Sequence, residues 1–452
     1  MPALATAAFC LSCRPVDDRI PIRYMAWGNP EQLRVEAHMI EVFEQENPDV
    51  RVEIINTPGG TYGQKMLVML TTDTAPDVMR VDHYGFPAMV KKGFFRPIDD
   101  FVEAEGGQEF LADFYPPAIK EGMHKGKLYG LNVLFGLRMI YYNKDLFRER
   151  GVEDPYITYK RGDWDFDAYL DAARKLTKFE DGRPVTYGTL LSSLDAWVYT
   201  WAFGGNIMNE GATAALTHTE PVYKALEFMY DLRWRWRVAP VPTEASGAAL
   251  QTFGFSTGRA GMVVGWSGEA PYYRKYAGFD FDIVPFPRGP AGQIAMVKGN
   301  QLVIWSGSRH PEAAWRFIKF VTGPYCELLL GKEMRRCMPT RMSVARDPRY
   351  LDPAGAPPFQ TDVLLDLYDF GHELPITDRW HEFSGAFWKH YGNIMNNVGG
   401  PRPPGKARRG EDFDMDAFLA ERETFIRDEM AQAREEIDEL LSENYWGFAD
   451  ER

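Results

Sequence analysis

Apolar and polar residues alternate over residues 20–27, IPIRYMAW, which predicts a first strand. Leu33, Ala37, Ile40 and Phe43 then recur at helical spacing over 31–46, and Asn47-Pro48 ends that helix. Residues 50–56, VRVEIIN, alternate again. Strand, helix, strand in so short a stretch is a βαβ unit and implies a parallel sheet. Residues 61–71 read as another helix, and 75–82 lead into a third strand. The carboxyl ends of the first and third strands carry Trp27-Gly28-Asn29 and Asp82-His83-Tyr84-Gly85. In open α/β sheets that edge is where ligands bind.

The same alternation of elements continues. Residues 86–92 and 101–105 read as short helices, 126–132 as a turn and strand, and 137–143 as a buried strand. Val133 to Gly136 between them is a candidate crossing between two lobes. A helix over 144–150 follows, and Asp163 precedes another over about 166–178. Residues 197–205, WVYTWAFGG, precede a polar loop and a helix over 221–236. The buried strand 260–264 runs into Gly265-Trp266-Ser267-Gly268, so an indole sits at a third strand end between small residues. A short helical piece is expected just before this strand, and another strand over 279–287. Lys298-Gly299-Asn300 inside 295–305 is a second candidate crossing. A helix over 311–323 and a mostly helical tail over 359–446 complete the chain, the tail interrupted by a basic loop at 399–410.

A chain of 452 residues exceeds one compact core, so two lobes are expected. The formal charge of −13 argues against a nucleic-acid binder, which carries a basic patch. No run of eighteen apolar residues is present to cross a membrane. Near the start, the apolar run 3–11 followed by Ser12-Cys13-Arg14-Pro15 resembles the end of a bacterial lipoprotein signal peptide, with Cys13 as the lipidation candidate. Cys10 and Cys13 also spell C-x-x-C, but outside the helix start that a redox pair uses. Cys326 and Cys337 fit either a disulfide or two separate buried thiols. No cofactor and no metal site are expected, because H-E-x-x-H and Walker motifs are absent. Gly254-Phe255-Ser256-Thr257-Gly258 matches G-x-S-x-G, the pattern of a hydrolase nucleophile elbow. That elbow needs a strand before the serine, and here the good strand comes after it.

The order of short motifs resembles the extracellular solute-binding proteins of bacterial ABC importers, the family that includes maltose- and other sugar-binding proteins. The resemblance spans about residues 22–433. It rests on Ala75-Pro76-Asp77-Val78, on Tyr129-Gly130-Leu131 ahead of Tyr141-Tyr142-Asn143-Lys144-Asp145-Leu146-Phe147, and on Trp164-Asp165 ahead of Ala172-Ala173-Arg174-Lys175-Leu176-Thr177. Phe203-Gly204-Gly205, Gly258-Arg259-Ala260-Gly261-Met262, residues 311–321 and Met338-Pro339-Thr340-Arg341 continue the series.

The resemblance implies an α/β fold of two discontinuous lobes around a central cleft, and a binding protein with no catalytic residue. It implies residues 20–133 with 299–345 as one lobe, 134–298 with 346–452 as the other, and 1–19 as a leader. The implied ligand is a carbohydrate, and the implied partners are the transmembrane subunits of an importer. A monomer outside the cytoplasm, touching the membrane only through a lipid anchor, goes with that reading. The expected ligand residues are Trp27, Asn29, Asp82, His83 and Tyr84 from the first lobe and Trp197, Gly205 and Trp266 from the second. Asn300, Arg341 and Trp380 lie near crossings, family turns or the late helices, with Trp388 a weaker candidate. Two alternatives stay open. A sugar phosphate, polyol or oligo-uronide would draw on Arg138, Lys298 or Arg341 if anionic. A secreted carbohydrate-active hydrolase would use Ser256.

Overall fold

The computed structural model describes residues 17–28, 30–181, 183–241, 254–332, 337–352, 355, 357–404 and 413–442. Cys10, Cys13, Asn29, residues 252–253 and residues 405–410 of the basic loop lie outside the described residues.

β1 (Ile20–Ala26), α1 (Pro30–Glu46) and β2 (Val50–Asn56) form the expected unit, with β1 and β2 parallel along their whole length. α2 (Gly59–Thr71) leads to β3 (Val78–Asp82), which pairs parallel to β1 on its other side. Alternation sorts the side chains between two faces. Ile22, Tyr24 and Ala26 pack with Met39, Ile40 and Phe43 of α1, while Met25 packs on the opposite face with Tyr62 and Met66 of α2.

Apart from a short hairpin of Met123–His124 and Lys127–Leu128, the remaining described strands are β4 (Gly130–Asn143), β5 (Lys178–Glu180), β6 (Arg183–Leu190), β7 (Ala260–Trp266), β8 (Phe281–Val284), β9 (Ala295–Ile304) and β10 (Gly371–Glu373). They join the first three in one ten-stranded sheet of order β2-β1-β3-β9-β4-β7-β6-β5, with β8 beside β4 and β10 beside β9. Its two ends serve different lobes. β3 pairs with the second half of β9, whereas β7 and β8 pair with the second half of β4. The long antiparallel pair β4–β9 is therefore what crosses from lobe to lobe.

At this crossing the structure departs from expectation. One 14-residue strand runs where two strands and a connection were expected. Asn300 faces Val133 but Lys298 faces Gly136, so Leu134 and Phe135 together oppose Gly299. This is a β-bulge, which bends a strand without breaking it. Leu134 takes φ +56°, a left-handed conformation that a branched side chain seldom adopts. Gly299 has no alternative, since a Cβ there would lie 1.8 Å from Asn132 Oδ1.

In the second lobe, α3 (Asp195–Ala202) and α4 (Glu220–Trp234) pack with Ile140 and Tyr142 of β4 and Met262 and Val264 of β7. α5 (Pro311–Val321) returns the chain to the first lobe, where Ala314, Phe317 and Ile318 cover the α1 side of the sheet. α6 (Trp380–Asn396) and α7 (Met415–Leu441) then close over the second lobe. Polar contacts fasten α7. Arg422 lies 2.7 Å from Asp231 and 3.2 Å from Glu227 on α4, and His390 of α6 lies 2.7 Å from Glu429.

Smaller differences have local causes. The helix expected to reach residue 178 stops at Leu176, where Thr177 turns extended and donates its hydroxyl to Ala173. The strand expected over 279–287 is confined to β8, ahead of Pro285. Residues 254–258 form a turn rather than helix, and β7 follows directly. Cys326 and Cys337 are both buried and share no disulfide, which settles that alternative for separate thiols.

Candidate functional site

β1 and β3 run the same way, so Trp27 and the Asp82-His83-Tyr84 run share one edge of the first lobe. Trp27 is held rigidly. The Arg80 guanidinium sits 4.1 Å over its ring, and Tyr62 meets it edge-on with centroids 4.6 Å apart. Arg80 is itself buried against Glu36 at 2.8 Å and donates to the Trp27 carbonyl. Asp82 accepts the Tyr84 N–H at 3.0 Å and lies 3.3 Å from Lys298 Nζ. Asn300 pairs with Asp82 across the sheet, and its buried Oδ1 has no protein partner.

The second lobe meets this edge with aromatic rings. Trp266 ends β7 directly opposite Arg138 of β4. Its ring carries the Arg138 guanidinium at 5.3 Å and the Lys298 ammonium at 5.7 Å. Lys298 also sits 4.5 Å over Tyr84. Tyr84 stacks on Trp380 at the start of α6, with centroids 5.2 Å apart and planes 12° from parallel. The structure thus brings together Asp82, Tyr84, Trp266, Lys298 and Trp380, with Trp27 and Asn300 on the same edge.

Two cavities border the residues of this edge, one at Trp266 and one at His83. One of about 410 Å³ is lined by Arg138, Ser192, Leu194, Val264, Trp266 and Tyr272. Here Arg138 is neutralised, lying 2.5 Å from Asp195 and 2.8 Å from Ser192 Oγ. Burial holds the Asp195 carboxyl above its ordinary range, opposed by Arg138 and by hydrogen bonds from Ser192. The other cavity, of about 860 Å³, has His83, Phe86 and Glu121 on the first-lobe side and Trp201, Gly205 and Asn206 on the second-lobe side. Both volumes fall in the usual range for small-molecule sites.

His83 and Glu121 form a buried polar pair on the wall of the larger cavity. His83 Nδ1 lies 3.3 Å from Glu121 Oε1. Glu121 Oε2 accepts from Asn132 Nδ2 at 2.9 Å, and Gln301 donates to Asn132 Oδ1 at 3.4 Å. Burial pushes the His83 imidazole down to about 4 and the Glu121 carboxyl up to about 8. Glu121 carries no legible signal in the sequence, because one glutamate between turn residues looks like a solvated surface group. Asp195 was more accessible to reading, since Ser192-Ser193-Leu194-Asp195 ahead of an apolar run is a helix-start pattern.

Four residues expected at the site, Trp388 the weaker candidate among them, sit elsewhere or act indirectly. Trp197 is 0% exposed and packs behind Trp380 against Trp201, Phe383 and Phe387, so it supports the site from the core. Arg341 is a structural ion in the first lobe. It donates to the Thr322 carbonyl, lies 3.4 Å from Asp113 and stacks 4.0 Å over Phe114. Gly205 lines the larger cavity, but its lack of a side chain is a packing requirement, as a Cβ would lie 2.4 Å from Pro221. Trp388 packs against Phe387 and Tyr391 of its own helix. Ser256 lies in the turn ahead of β7, the reverse of the strand-then-turn order of a nucleophile elbow. Among the described residues, no group of His, Cys, Asp and Glu could hold a metal ion.

Two α/β lobes joined by paired crossing strands, with aromatic and polar groups of both converging at the strand ends, define a two-lobe binding protein with a central cleft. The chain belongs to the bacterial extracellular solute-binding protein family, whose model matches residues 29–324. A Brucella abortus relative, named only as a binding protein, is 24% identical over 62% of this chain and 66% of its own length. The maltotriose-binding protein of Pyrococcus abyssi is 23% identical over 67% of this chain and 63% of its own length. These matches therefore span under two thirds of each relative but the fold extends further. An ABC substrate-binding protein of Listeria monocytogenes, solved with cycloalternan, aligns over 92% of this chain and 99% of its own, with TM-score 0.74 and 20% identity.

Proposed function

We propose that the protein captures a neutral carbohydrate in the interlobe cleft and delivers it to the transmembrane subunits of an ABC importer. The observation that carries this reading is the meeting of Trp266 and Trp380 from one lobe with Tyr84 and Asp82 from the other, beside Lys298 and Asn300 of a crossing strand. One face of a pyranose is a patch of C–H groups that lies well on such rings, and its hydroxyls need fixed donors and acceptors. A ligand touching both lobes favours their closed arrangement, which is how binding would be signalled to an importer. Relatives named for maltotriose and for cycloalternan support the ligand class.

The electrostatics favour a neutral ligand over a sugar phosphate or uronide. Lys298 is engaged by Asp82, Arg138 by Asp195, and Arg341 by Asp113 away from the cleft. An anion held by any of these three cations would have to break one of these internal pairs. A binding role without turnover fits the family and the position of Ser256 ahead of its strand. The lobes are proposed to comprise 20–133 with 299–345 and 134–298 with 346–452, in line with the crossing at Gly299. A monomer in the periplasm or at the cell surface, anchored through a lipid on Cys13, completes the reading.

A melting screen against mono- and oligosaccharides tests it. A ligand at a hundred times its Kd stabilises the folded state by about 2.7 kcal/mol. At least one neutral oligosaccharide is expected to raise the melting temperature. A shift only with phosphorylated or uronate sugars would overturn the neutral-ligand reading, and no shift with any sugar would overturn the carbohydrate class.

A further inference from the structure

The strand ends of the cleft are already engaged by a side chain of the crossing pair. Lys298 and Asn300 lie two residues apart on β9, so they face the same way, and Asn300 pairs with Asp82 of β3. Lys298 itself pairs with Gly136 of β4. A Cβ at Gly136 would meet Trp266 Cε3 at 3.5 Å and the Lys298 carbonyl at 3.8 Å, so indole and lysine flank the same bare backbone. From there the Lys298 ammonium reaches three groups. Nζ lies 3.3 Å from Asp82 Oδ2, 4.5 Å over the Tyr84 ring and 5.7 Å over the Trp266 ring. Each ring has a further partner. Tyr84 stacks on Trp380, and Trp266 carries the Arg138 guanidinium at 5.3 Å. The two cations differ in how they are held. The Arg138 side chain is 4% exposed and fixed by Asp195, Ser192 Oγ and the Val264 carbonyl. That of Lys298 is 23% exposed, on a flexible stem, and its partner Asp82 is 42% exposed.

We propose that Lys298 is an internal occupant of the cleft, whose ammonium holds the carboxylate and ring faces that a sugar takes and is displaced when the sugar is captured. This rests on the carbohydrate-capture reading and adds the residue that sets its threshold. The two occupants use the same groups. A sugar donates hydroxyls to a carboxylate and lays its C–H face on a ring. Lys298 places an ion pair on that carboxylate and cation–π contacts on those rings. Neither can use the Tyr84 face and Asp82 Oδ2 while the other is there.

The direction of the effect follows. Every sugar that takes these groups first removes two cation–π contacts and one partly exposed ion pair. Their loss lowers affinity by about tenfold, with the ion pair the smaller share because both its partners meet solvent. Only a ligand whose own contacts exceed that threshold is held. Arg138 sets no such threshold, because its buried partner Asp195 keeps it in place whether or not a sugar lies on Trp266. Removing the Lys298 ammonium therefore strengthens capture, the opposite of what removing a ligand-binding donor does.

The test compares native protein with Lys298→Ala and with Lys298→Arg, which keeps the cation. The probe is maltotriose or, should another neutral sugar give the larger melting shift, that sugar. In isothermal titration Lys298→Ala is expected to bind about tenfold tighter than native protein, and Lys298→Arg within about threefold of it. From about 20 to about 500 mM NaCl the native affinity should rise about twofold as the ion pair is screened, and that of Lys298→Ala should stay level. Carbon-13 methyl groups placed on the lysines by reductive methylation, which keeps their charge, report displacement directly. One methyl signal of native protein, absent from Lys298→Arg, is expected upfield under the Tyr84 ring and should return to the ordinary lysine position in saturating sugar. Equal or weaker binding by Lys298→Ala overturns the proposal while leaving capture intact. So does an upfield signal that is missing, or one that stays in place with the sugar bound. If Lys298→Ala does not fold, that signal alone decides. Binding by neither native protein nor Lys298→Ala overturns capture and this proposal with it.

Discussion

Replacing Trp266 by alanine separates a ligand-facing indole from a structural one. The ring lies at the end of β7, half-buried, with Arg138 at 5.3 Å and Lys298 at 5.7 Å over it. Both cations have other partners, Asp195 and Asp82, so neither is stranded when the ring goes. The backbone N–H of residue 266 still reaches Glu269 Oε1 at 3.1 Å. What the fold loses is two cation–π contacts at about 0.5–1 kcal/mol each, together with the packing of a half-buried ring against the second-lobe core, a smaller loss than emptying a fully enclosed site. What the ligand loses is a central aromatic platform, and such residues typically contribute 2 kcal/mol or more to binding. That corresponds to a drop in affinity of about 30-fold or greater.

Trp197→Ala supplies the contrast, because that ring is wholly enclosed by Trp201, Trp380, Phe383 and Phe387. Emptying it should cost about 3–5 kcal/mol of stability. Calorimetric melting and titration with the best sugar of the screen read both quantities. The expected result is a small melting loss with a large affinity loss for Trp266→Ala, and the larger melting loss for Trp197→Ala. The assignment is refuted if Trp266→Ala melts as low as Trp197→Ala, or binds sugar like the native protein.

Other substitutions probe the crossing and the residues that left the site. Gly299→Ala must displace Asn132, whose amide holds Ala118 at 2.6 Å and Glu121 at 2.9 Å; a loss of about 1–3 kcal/mol in denaturant unfolding is expected. Arg341→Ala removes the guanidinium donor of the Thr322 carbonyl and the cation beside Asp113, which keeps its bonds from Ser343, and should lower stability by a similar amount; per-molecule sugar affinity, measured at a temperature where the variant is folded, should stay unchanged. Ser256→Ala should alter neither binding nor any background glycoside or ester hydrolysis, checked with chromogenic substrates.

The first lobe is legible because strand 50–56 exposes one face and strand 20–26 leaves Pro21 and Arg23 outside its core, so period two survives in the residues. Trp27 follows from it as the residue after such a strand, while Asp82 and Trp266 are read from the ends of short, wholly buried runs. The crossing is half legible. Val133 to Gly136 and Lys298 to Asn300 mark its place, but a strand that bends through a bulge reads as two strands, because the register shift involves the partner strand. Trp197 and Trp380 have no such rule to separate them. Each is a tryptophan in an apolar helix, and only the packing of α3 beneath α6 puts one behind the other. Arg341 is assigned to the cleft by its place in a motif, yet its guanidinium turns towards Thr322 and Phe114 inside the first lobe. Glu121 gains its character only from burial against His83 and Asn132, two groups distant from each other in the chain.

The central claim is that a neutral sugar is held between the lobes by rings from both. A crystal structure with the sugar that most raises the melting temperature tests it most directly. The account predicts the sugar in the cleft, one ring face on Trp266 and hydroxyls on Asp82, Asn300 or Lys298, with contacts from both lobes. A sugar seated against one lobe alone, or out of contact with Tyr84, Trp266 and Trp380, would contradict it.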